Sequence, residues 1–405
     1  MNFSQAVEYV KSLGLSTKST DITRVKKALD ALGQKNNFRV IHIAGTNGKG
    51  SVSSYVYNAL LYSNIKAALF TSPDMFDIRE RISANGKIIS RTDFLRYTKI
   101  IKSKGLELSM FDFLYIMAVM FFNDKKIEVA VLETGLGGRF DATNTADKKI
   151  VTAITKIGID HAAVLGTTVE QIAAEKCGII NNDITVTSFS QPKAALCIIK
   201  NSSKKLVVPD QSLLKPKEIS PLGNRFIYKG IEYKTKMGGP HQIENALVAI
   251  EILENSGLAV TPDAIKKGLL GAFMPARLQV ISKNPLVIVD GAHNIDGALA
   301  LRQALSDYSG FTAVTGFMKD KDYDGILKTV SPLLDKAILV KPNNTLRALL
   351  PEELEKTAKK YIKNTECAGS IKEGIELAIS YNKPVLVFGS LYLAANVLNI
   401  LNFDN

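Results

Sequence analysis

A glycine-rich segment near the amino terminus constrains the fold of this chain more than any other feature. The apolar run 40–44 leads into Gly45-Thr46-Asn47-Gly48-Lys49-Gly50-Ser51, and residues 52–62 have a helical pattern. A strand, a glycine-rich loop and a helix in this order can hold a polyphosphate, because backbone N–H groups and the positive end of the helix dipole point at the anion. A plain strand-to-helix turn is the alternative, and Lys49 at the mouth of the helix favours phosphate.

The loop differs from a Walker A motif at two positions. That motif would have glycine at position 43 and Ser or Thr at position 50. This sequence has Ile43 and Gly50 there, and its hydroxyl residue, Ser51, comes one position late. We therefore predict a shorter phosphate loop in which the seven residues 45–51 contact a nucleotide.

The rest of the chain alternates between strand and helix patterns, which predicts a parallel α/β fold. The motif-bearing loops follow the carboxyl ends of strands, where open parallel sheets bind their ligands. The predicted strands are 39–43, 66–70, 129–133, 150–154, 184–187, 286–290, 312–315, 336–341 and 385–388.

The length of 405 residues favours two domains. We predict an N-terminal P-loop-type ATPase domain, residues 1–275, with a mostly parallel sheet and a small antiparallel sheet from 202–240. A Rossmann-like α/β domain follows as residues 276–405, and a helix over 246–258 precedes the boundary.

Composition restricts the class of protein without specifying its chemistry. The three cysteines have no paired spacing, which indicates a reducing compartment. The start of the chain lacks the pattern of a secretion signal, and no apolar run reaches about 18 residues, so we expect a cytoplasmic protein without a membrane partner. The net charge of +12 favours anionic small molecules. The lysines are spread out, so we expect no nucleic-acid partner. We also expect a monomer.

The loop Gly45–Ser51 resembles the phosphate loop of the folylpolyglutamate synthase and dihydrofolate synthase family, a branch of the Mur-type ligases. Eight further segments resemble the same family in the same order, so the resemblance covers nearly the whole chain. They are 71–73 (Thr-Ser-Pro), 133–144 (Glu-Thr-Gly-Leu-Gly-Gly-Arg-Phe-Asp-Ala-Thr-Asn), 157–161 (Ile-Gly-Ile-Asp-His), 174–179 (Ala-Glu-Lys-Cys-Gly-Ile), 241–246 (His-Gln-Ile-Glu-Asn-Ala), 276–278 (Ala-Arg-Leu), 290–294 (Asp-Gly-Ala-His-Asn) and 389–392 (Gly-Ser-Leu-Tyr).

The resemblance implies an ATP-dependent ligase that adds L-glutamate to the carboxylate of dihydropteroate, of reduced folates, or of both. ATP would phosphorylate that carboxylate, and the amine of glutamate would attack the acyl phosphate. The catalytic residues implied are Lys49, Lys176 and His293, and residues 276–405 would be the glutamate-ligase domain.

Two magnesium ions are implied by the same resemblance. Glu133 ends an apolar strand, where a carboxylate is costly unless it is paired or binds a metal, although a solvated strand end is the alternative. The family residues that match Ser72, Glu133 and His161 hold magnesium. The lysine that matches Lys176 is carbamoylated by CO₂ and holds a second ion, which requires a neutral amine. On sequence alone, Lys176 is a surface partner of Glu175.

The nucleotide and amino-acid substrates are assigned to residues in both predicted domains. Asn245, opening the predicted helix, has an amide that can donate and accept at the edge of adenine. Arg277 is a candidate to reach a phosphate. By resemblance, Asp290 contacts the ribose, His293 lies near the γ-phosphate and the incoming glutamate, and Ser390 binds the glutamate carboxylate. A structural turn is the alternative for Asp290.

The pterin or folate side departs from the family pattern. Asp112 follows Phe111 where the family often has glutamate, and Asp74 follows Ser72-Pro73 where histidine is common. With Arg139, these residues are expected to bind the pterin or folate. The departures leave open whether dihydropteroate, reduced folates or both are substrates.

Two other functions are weighed against this one. A Mur-type ligase of cell-wall precursors usually has Gly-Lys-Thr at the loop and a further N-terminal domain, and both Gly50 and the short segment before Gly45 argue against it. A nucleotide-binding switch or a basic nucleic-acid binder would need neither the candidate metal ligands nor the pair Asp290 and His293.

Overall fold

The computed structural model describes residues 1–14, 22–342 and 347–401. Its helices are α1 (Phe3–Ser12), α2 (Thr23–Ala31), α3 (Lys49–Tyr62), α4 (Arg91–Lys102), α5 (Met110–Asp124), α6 (Ala162–Leu165), α7 (Val169–Cys177), α8 (Lys193–Ser202), α9 (Pro240–Glu254), α10 (Pro262–Gly271), α11 (Ile295–Ala304), α12 (Tyr323–Val330), α13 (Pro351–Ala358), α14 (Ile371–Ser380) and α15 (Leu391–Ile400). Its strands are β1 (Arg39–Ala44), β2 (Ala67–Phe70), β3 (Ile82–Ala84), β4 (Lys87–Ile88), β5 (Val129–Glu133), β6 (Lys149–Ile154), β7 (Ile184–Thr187), β8 (Lys205–Val207), β9 (Leu214–Ser220), β10 (Gly223–Tyr228), β11 (Ile231–Thr235), β12 (Gln279–Lys283), β13 (Leu286–Val289), β14 (Phe311–Thr315), β15 (Leu334–Leu339), β16 (Asn364–Cys367) and β17 (Val385–Phe388).

The first of two compact units contains residues 1–214 and 244–272. Its sheet has the strand order β4-β3-β2-β5-β1-β6-β7-β8. In this order, neighbouring strands pair in parallel from β2 through β5, β1, β6 and β7 to β8. At the other end of the sheet, β3 and β4 form an antiparallel edge. The central strand β1 is buried after its first residue, as expected for a parallel strand that is covered on both faces. The predicted, mostly parallel sheet is confirmed.

Helices cover both faces of this sheet. On one face, α5 is buried from Asp112 to Phe122, and its rings pack edge-on against those of neighbouring elements, as Phe122 does against Phe38 with ring centroids 5.7 Å apart. Helices α3 and α10 pack closely against each other. A Cβ on Gly268 of α10 would collide with the backbone of Ala59 in α3, so this close approach needs a glycine. The packing fixes the carboxyl edge of the sheet, where the candidate site lies.

The second unit contains residues 215–243 and 273–405. Its larger sheet has the order β12-β13-β17-β14-β15-β16, with β12 antiparallel and the others parallel. The separate sheet β11-β10-β9 also belongs to this unit. We had expected this small antiparallel sheet in the N-terminal domain, so the structure groups it differently. The domain boundary at residue 275 stays a prediction.

The predicted strands are present, with bounds shifted by a few residues. The helix after the phosphate loop begins at Lys49, three residues before the predicted start. The helix expected over 246–258 is α9, which runs from Pro240 to Glu254, and β3, β4, β12 and β16 were not predicted. Within the described residues, no helix is long and apolar enough to cross a membrane.

Candidate active site

The phosphate loop joins β1 to α3 at the carboxyl edge of the first unit's sheet. Gly48 caps the helix with φ of 89°, a left-handed conformation that favours glycine. The helix starts at Lys49, so its first-turn N–H groups are positioned as in other anion-binding helix ends. A Cβ on Gly48 would also collide with the side chain of Asn245. The loop geometry is therefore compatible with phosphate, and the nucleotide contact of residues 45–51 stays a prediction.

A neighbouring loop holds the phosphate loop in place. The N–H groups of Thr46 and Asn47 donate to the Lys156 carbonyl at 3.0 and 3.1 Å. The Thr46 hydroxyl donates to the Gly158 carbonyl at 3.0 Å and accepts from the Gly158 N–H at 3.1 Å. Gln191, which the sequence did not single out, fixes this neighbouring loop by accepting from the Ile157 N–H and donating to the Thr155 carbonyl.

Two lysine side chains meet at the phosphate loop. Nζ of Lys49 donates to the carbonyls of Gly45 and Thr46 at 3.1 and 3.3 Å, and Nζ of Lys176 donates to the same Gly45 carbonyl at 2.8 Å. Lys176 is 5% exposed. Its burial, and then the positive charge of Lys49, lower the pKa of Lys176 to about 7. Lys176 is thus a buried group at the loop and not the surface partner of Glu175 suggested by sequence alone.

Glu133 lies buried at the carboxyl end of β5. It is 2% exposed, and its Oε2 accepts from the hydroxyl of Thr71 and from the N–H of Ser72 at 3.2 Å. The structure therefore brings Ser72 and Glu133 together and excludes a solvated strand end. His161 is exposed at the start of α6, where its φ is 53°. Thr71 belongs to the family-like segment 71–73, but no role of its own was predicted for it.

No cluster of three His, Cys, Asp or Glu side chains suited to a metal ion occurs within the described ranges. Magnesium at a phosphate site needs fewer protein ligands, because waters and phosphate oxygens complete its octahedron. The buried carboxylate of Glu133 is the kind of hard oxygen ligand that such a site uses.

The loop after β5 adjoins a patch of apolar side chains. Phe111 covers Gly135, where a Cβ would collide with the aromatic ring, and it packs against Phe70 with centroids 5.3 Å apart. Leu136 and Phe140 in the same loop are 40% and 49% exposed. This surface could contact a flat ring system, and the pterin or folate contact predicted for Phe111 stays a prediction.

The two aspartates expected near the pterin are each paired with an arginine. Asp112 is 1% exposed and accepts from Nε and Nη2 of Arg24 at 2.8 and 3.0 Å, and also from the Ser109 N–H. Asp74 accepts from Nε of Arg81 at 2.5 Å. Both oxygens of Asp112 are already used within the protein, so its predicted contact with the pterin would have to compete with Arg24.

Arg139 lies on the exposed side of the loop after β5. Its side chain is 51% exposed, and its Nε is 3.4 Å from Oε1 of Glu175. Its backbone N–H donates to the Glu175 carbonyl at 2.9 Å, which attaches this loop to α7. The folate contact predicted for Arg139 stays a prediction.

Asn245 lies in the second turn of α9, so the expectation that it opens this helix is wrong. It is 7% exposed, and its amide lies against Gly48 of the phosphate loop. Glu244, beside it, accepts from the hydroxyl of Ser188 at 2.7 Å and from the N–H and hydroxyl of Ser190 at 3.0 and 2.8 Å. Glu244 thereby fixes this turn of α9, and the sequence had given it no role.

In the second unit, Arg277 lies between two strained residues. Ala276 and Leu278 have φ of 54° and 49°, which is unfavourable for residues with a Cβ by about 1–3 kcal/mol each. The segment is held by Asp290, whose Oδ2 accepts from the Leu278 N–H at 2.7 Å. The Arg277 guanidinium lies beside Gly291, whose added Cβ would be 3.2 Å from Nη1. Such strain is frequent at functional sites.

The remaining candidates follow β13 and β17, which are adjacent strands. Both oxygens of Asp290 accept from backbone N–H groups, of Leu278 and Ala292, as in the structural turn that we left open. His293 Nδ1 lies 2.8 Å from the Gly291 carbonyl, so this nitrogen donates to the carbonyl oxygen. Ser390 caps α15 by accepting from the Tyr392 N–H at 3.1 Å.

Known proteins resemble this chain over almost its full length. A dihydrofolate synthase/folylpolyglutamate synthase of Bacillus subtilis is 32% identical over 92% of this chain and 93% of that protein. This chain belongs to the dihydrofolate synthase/folylpolyglutamate synthase family. Residues 43–253 match the Mur ligase middle domain, and residues 276–391 match the Mur ligase, glutamate ligase domain. As a member of this family, the chain is an ATP-dependent ligase that adds glutamate to a folate substrate.

Solved structures of the family share the fold. Mycobacterium tuberculosis folylpolyglutamate synthase complexed with ADP and AMPPCP has a TM-score of 0.86 at 28% identity, covering 95% of this chain and 96% of that one. E. coli FolC in complex with DHPP and ADP has a TM-score of 0.87 at 25% identity, covering 100% and 98%. These nucleotide complexes support ATP as the substrate of this dihydrofolate synthase/folylpolyglutamate synthase family member.

Proposed function

We propose that this ligase adds L-glutamate both to dihydropteroate and to the γ-carboxylate of a reduced folate, through an acyl phosphate. The B. subtilis relative is named for both activities, and FolC was solved with DHPP as well as ADP. One observation carries the proposal: Lys176, which is buried and has a lowered pKa, donates to the Gly45 carbonyl of the phosphate loop. Glu133 is buried at the same edge of the sheet.

The residues of the first unit bind and neutralise the triphosphate in this proposal. Lys49 and the first-turn N–H groups of α3 hold the phosphates, and Lys49 opposes the charge that develops during phosphoryl transfer. Asn245 was predicted to read adenine, but its contact with Gly48 favours the phosphate end of the nucleotide. The chain's contribution to the first step is therefore positioning and charge neutralisation.

Residues of the second unit are proposed to handle L-glutamate and part of the nucleotide. His293, which the Gly291 carbonyl holds through Nδ1, is proposed to accept the proton that the glutamate amine loses as it attacks the acyl carbon. The Ser390 hydroxyl has its proton available for a carboxylate, because its oxygen already accepts from Tyr392. Arg277 adds positive charge for a phosphate, and Asp290 holds Arg277 in place besides its predicted ribose contact.

The donor set of the first unit fits magnesium. Glu133, Ser72 and His161 would hold one ion, and a carbamate on Lys176 would supply oxygens for a second. Bound magnesium would neutralise phosphate charge and polarise the phosphoryl group. The carbamate would form when the neutral Lys176 amine attacks CO₂ and releases a proton, and a pKa of about 7 leaves that amine partly neutral at physiological pH.

The arginine partners of Asp74 and Asp112 support a broad substrate range. Two unpaired carboxylates near the pterin would repel the carboxylates of a folate. Arg81 and Arg24 pair with these carboxylates, which supports the proposal that both dihydropteroate and the more anionic folates are accepted.

Transfer of ¹⁸O tests the acyl phosphate. Dihydropteroate labelled with ¹⁸O in its carboxylate should give inorganic phosphate that contains one ¹⁸O per turnover, because the carboxylate oxygen leaves with the phosphoryl group. Mass spectrometry of the phosphate reads this directly. Unlabelled phosphate released during glutamate-dependent turnover would contradict the acyl-phosphate route.

A further inference from the structure

His42 is a buried histidine on β1, the strand that leads into the phosphate loop. None of its surface is exposed, and its neighbours along the strand are apolar. Its Nε2 lies 2.8 Å from Oγ1 of Thr143. Burial, and to a lesser degree the charge of Lys149, hold the pKa of His42 well below its usual value, so the ring is neutral.

The direction of this hydrogen bond follows from the neighbours of Thr143. The Thr143 hydroxyl donates its proton to Oδ1 of Asp141, which also accepts from the Thr143 N–H at 3.0 Å. The hydroxyl oxygen is therefore the acceptor for His42, which must carry its proton on Nε2. Nδ1 of His42 has no hydrogen-bond partner among the described residues, as expected for the unprotonated nitrogen of a buried ring.

Asp141 in turn shapes the loop after β5. Its Oδ2 accepts from the N–H groups of Gly135 and Leu136 at 2.9 and 3.0 Å. Burial raises the pKa of Asp141, and its four hydrogen bonds oppose that rise. The carboxylate thus holds the start of the loop that follows Glu133, where Phe111 covers Gly135.

We propose that His42 is a positioning residue: by donating to Thr143, it fixes the Asp141 carboxylate and hence the loop that carries Gly135 and Leu136. The proposal rests on the function proposed above, because this loop adjoins the expected folate surface. The phosphate loop has its own anchors, the carbonyl of Lys156 and both backbone groups of Gly158. Loss of the His42 donor should therefore impair use of the pteroyl substrate more than binding of the nucleotide.

Paired substitutions at His42 separate the donor from the bulk of the ring. His42→Gln offers an amide N–H close to the position of Nε2, whereas His42→Leu fills the space without a donor. We expect kcat/KM for dihydropteroate to fall about 10- to 100-fold in His42→Leu, as for other residues that orient a site indirectly. His42→Gln should restore it to within about threefold, while the Kd for ADP changes by less than about threefold in both variants.

Two substitutions at Thr143 provide an independent test of the same hydrogen bond. Thr143→Val removes the hydroxyl, Thr143→Ser keeps it, and only the former should lower kcat/KM for dihydropteroate. His42→Leu should cost less than about twofold more in the Thr143→Val background, because the same link is already cut. Val40→Ala is the control for damage to the strand: it should lower Tm and leave the kinetics with dihydropteroate unchanged.

The contrary results are distinct. Parallel loss of ADP affinity, failure of His42→Gln to restore activity, or additive losses with Thr143→Val would overturn the proposal and leave His42 a packing role. If His42→Leu does not fold, the Thr143 variants decide: equal kcat/KM for dihydropteroate in Thr143→Val and Thr143→Ser would overturn the proposal.

A spectroscopic test does not depend on turnover. In ¹⁵N spectra of histidine-labelled protein, the His42 signals, assigned by their loss in His42→Gln, should show the neutral Nε2–H form at neutral pH, because burial holds the pKa of His42 well below its usual value. The Nδ1–H form would overturn the proposal. If the wild-type enzyme releases no ADP with glutamate, the proposed function fails, and this spectrum still tests the hydrogen bond.

Discussion

Two lysine ammonium groups share one carbonyl oxygen at the phosphate loop. Lys49 and Lys176 both donate to Gly45, and the positive charge of Lys49 contributes to the lowered pKa of Lys176. The two lysines therefore suit different roles in the proposed function. At the scale of single residues, Lys49 neutralises phosphate charge, and the less basic Lys176 is the amine that reacts with CO₂.

Lys49 provides the first prediction. Lys49→Ala should lower kcat by about 100- to 1,000-fold, because it removes charge that stabilises the phosphoryl-transfer transition state. Lys66→Ala, an exposed lysine at the amino end of β2, is the matched control and should behave as wild type. Steady-state kinetics and circular dichroism check both; near-wild-type kcat in a folded Lys49→Ala would show that the loop does not act on phosphate.

Lys176 predicts a dependence on CO₂ and pH. Since its pKa is lowered to about 7, the neutral amine becomes scarce below that value and predominates above about pH 8. Enzyme stripped of CO₂ should lose activity, and its recovery at fixed dissolved CO₂ should speed up from about pH 6 to about pH 8 and then level off. Lys176→Ala should be inactive and partly rescued by acetate or formate. Full activity without CO₂ would argue against a carbamate.

Glu133 predicts a change in the magnesium requirement. Glu133→Ala should raise the magnesium concentration for half-maximal activity by about tenfold or more and lower kcat, because the buried oxygen ligand is lost. His161→Ala should act in the same direction. Glu128→Gln, just before the amino end of the same strand, is the control. If the magnesium dependence of activity is unchanged in Glu133→Ala and His161→Ala, the two residues do not bind magnesium and have structural roles only.

Individual residues show where sequence reasoning reached its limit. Glu133 was predicted as a functional carboxylate because it ends an apolar strand, and its burial agrees. The burial of Lys176 depends on packing by distant segments, so local sequence could not distinguish it from a surface lysine. Asp112 had a readable signal, since Ser109 stands three residues before it and the pair forms a capping box at the start of α5.

At the scale of elements, the amino end of α3 combines a left-handed glycine cap, Gly48, with a close contact to Asn245. Gly48 needs its left-handed conformation to start the helix and needs the absence of a Cβ to admit Asn245. Experiment can separate these two requirements, because Gly105 shares only the first. Its φ of 60° is also left-handed, but the space around it is open.

We expect Gly48→Ala and Gly105→Ala to lose similar stability, about 1–2 kcal/mol, from left-handed strain alone. Only Gly48→Ala should also weaken ADP binding, by about tenfold or more, since the added Cβ displaces Asn245 from the loop. Thermal unfolding and ADP titration measure the two effects. Equal ADP affinity in both variants would mean that the contact with Asn245 does not matter for the nucleotide.

Elements with continuous apolar runs were predictable, and others were not. β1, β5 and β17 are buried strands of a parallel sheet and their sequences show it. β16 (Asn364–Cys367) is short, polar and partly exposed, so only its pairing with β15 defines it as a strand. The early start of α9 had a signal in Pro240, because proline is favoured at the first position of a helix.

For the whole molecule, the grouping of the small sheet β9 to β11 could not be read from sequence. It precedes α9 in the chain, and only long-range contacts assign it to the second unit. The residues and order of the motifs along the chain, by contrast, sufficed to predict the family, and the motifs at Gly45, Ser72 and Gly135 follow the carboxyl ends of β1, β2 and β5. The net charge of +12 suits substrates that are all anions.

The central claim is tested most directly by glutamate-dependent ADP release with two acceptors. Purified enzyme with ATP, magnesium and L-glutamate should use dihydropteroate with kcat/KM at least comparable to that for tetrahydrofolate. Each product should gain the mass of one glutamyl residue, and Lys49→Ala should form neither. Turnover with tetrahydrofolate alone would contradict the dihydropteroate half of the account. Absence of glutamate-dependent ADP release with both acceptors would contradict the folate-ligase function itself.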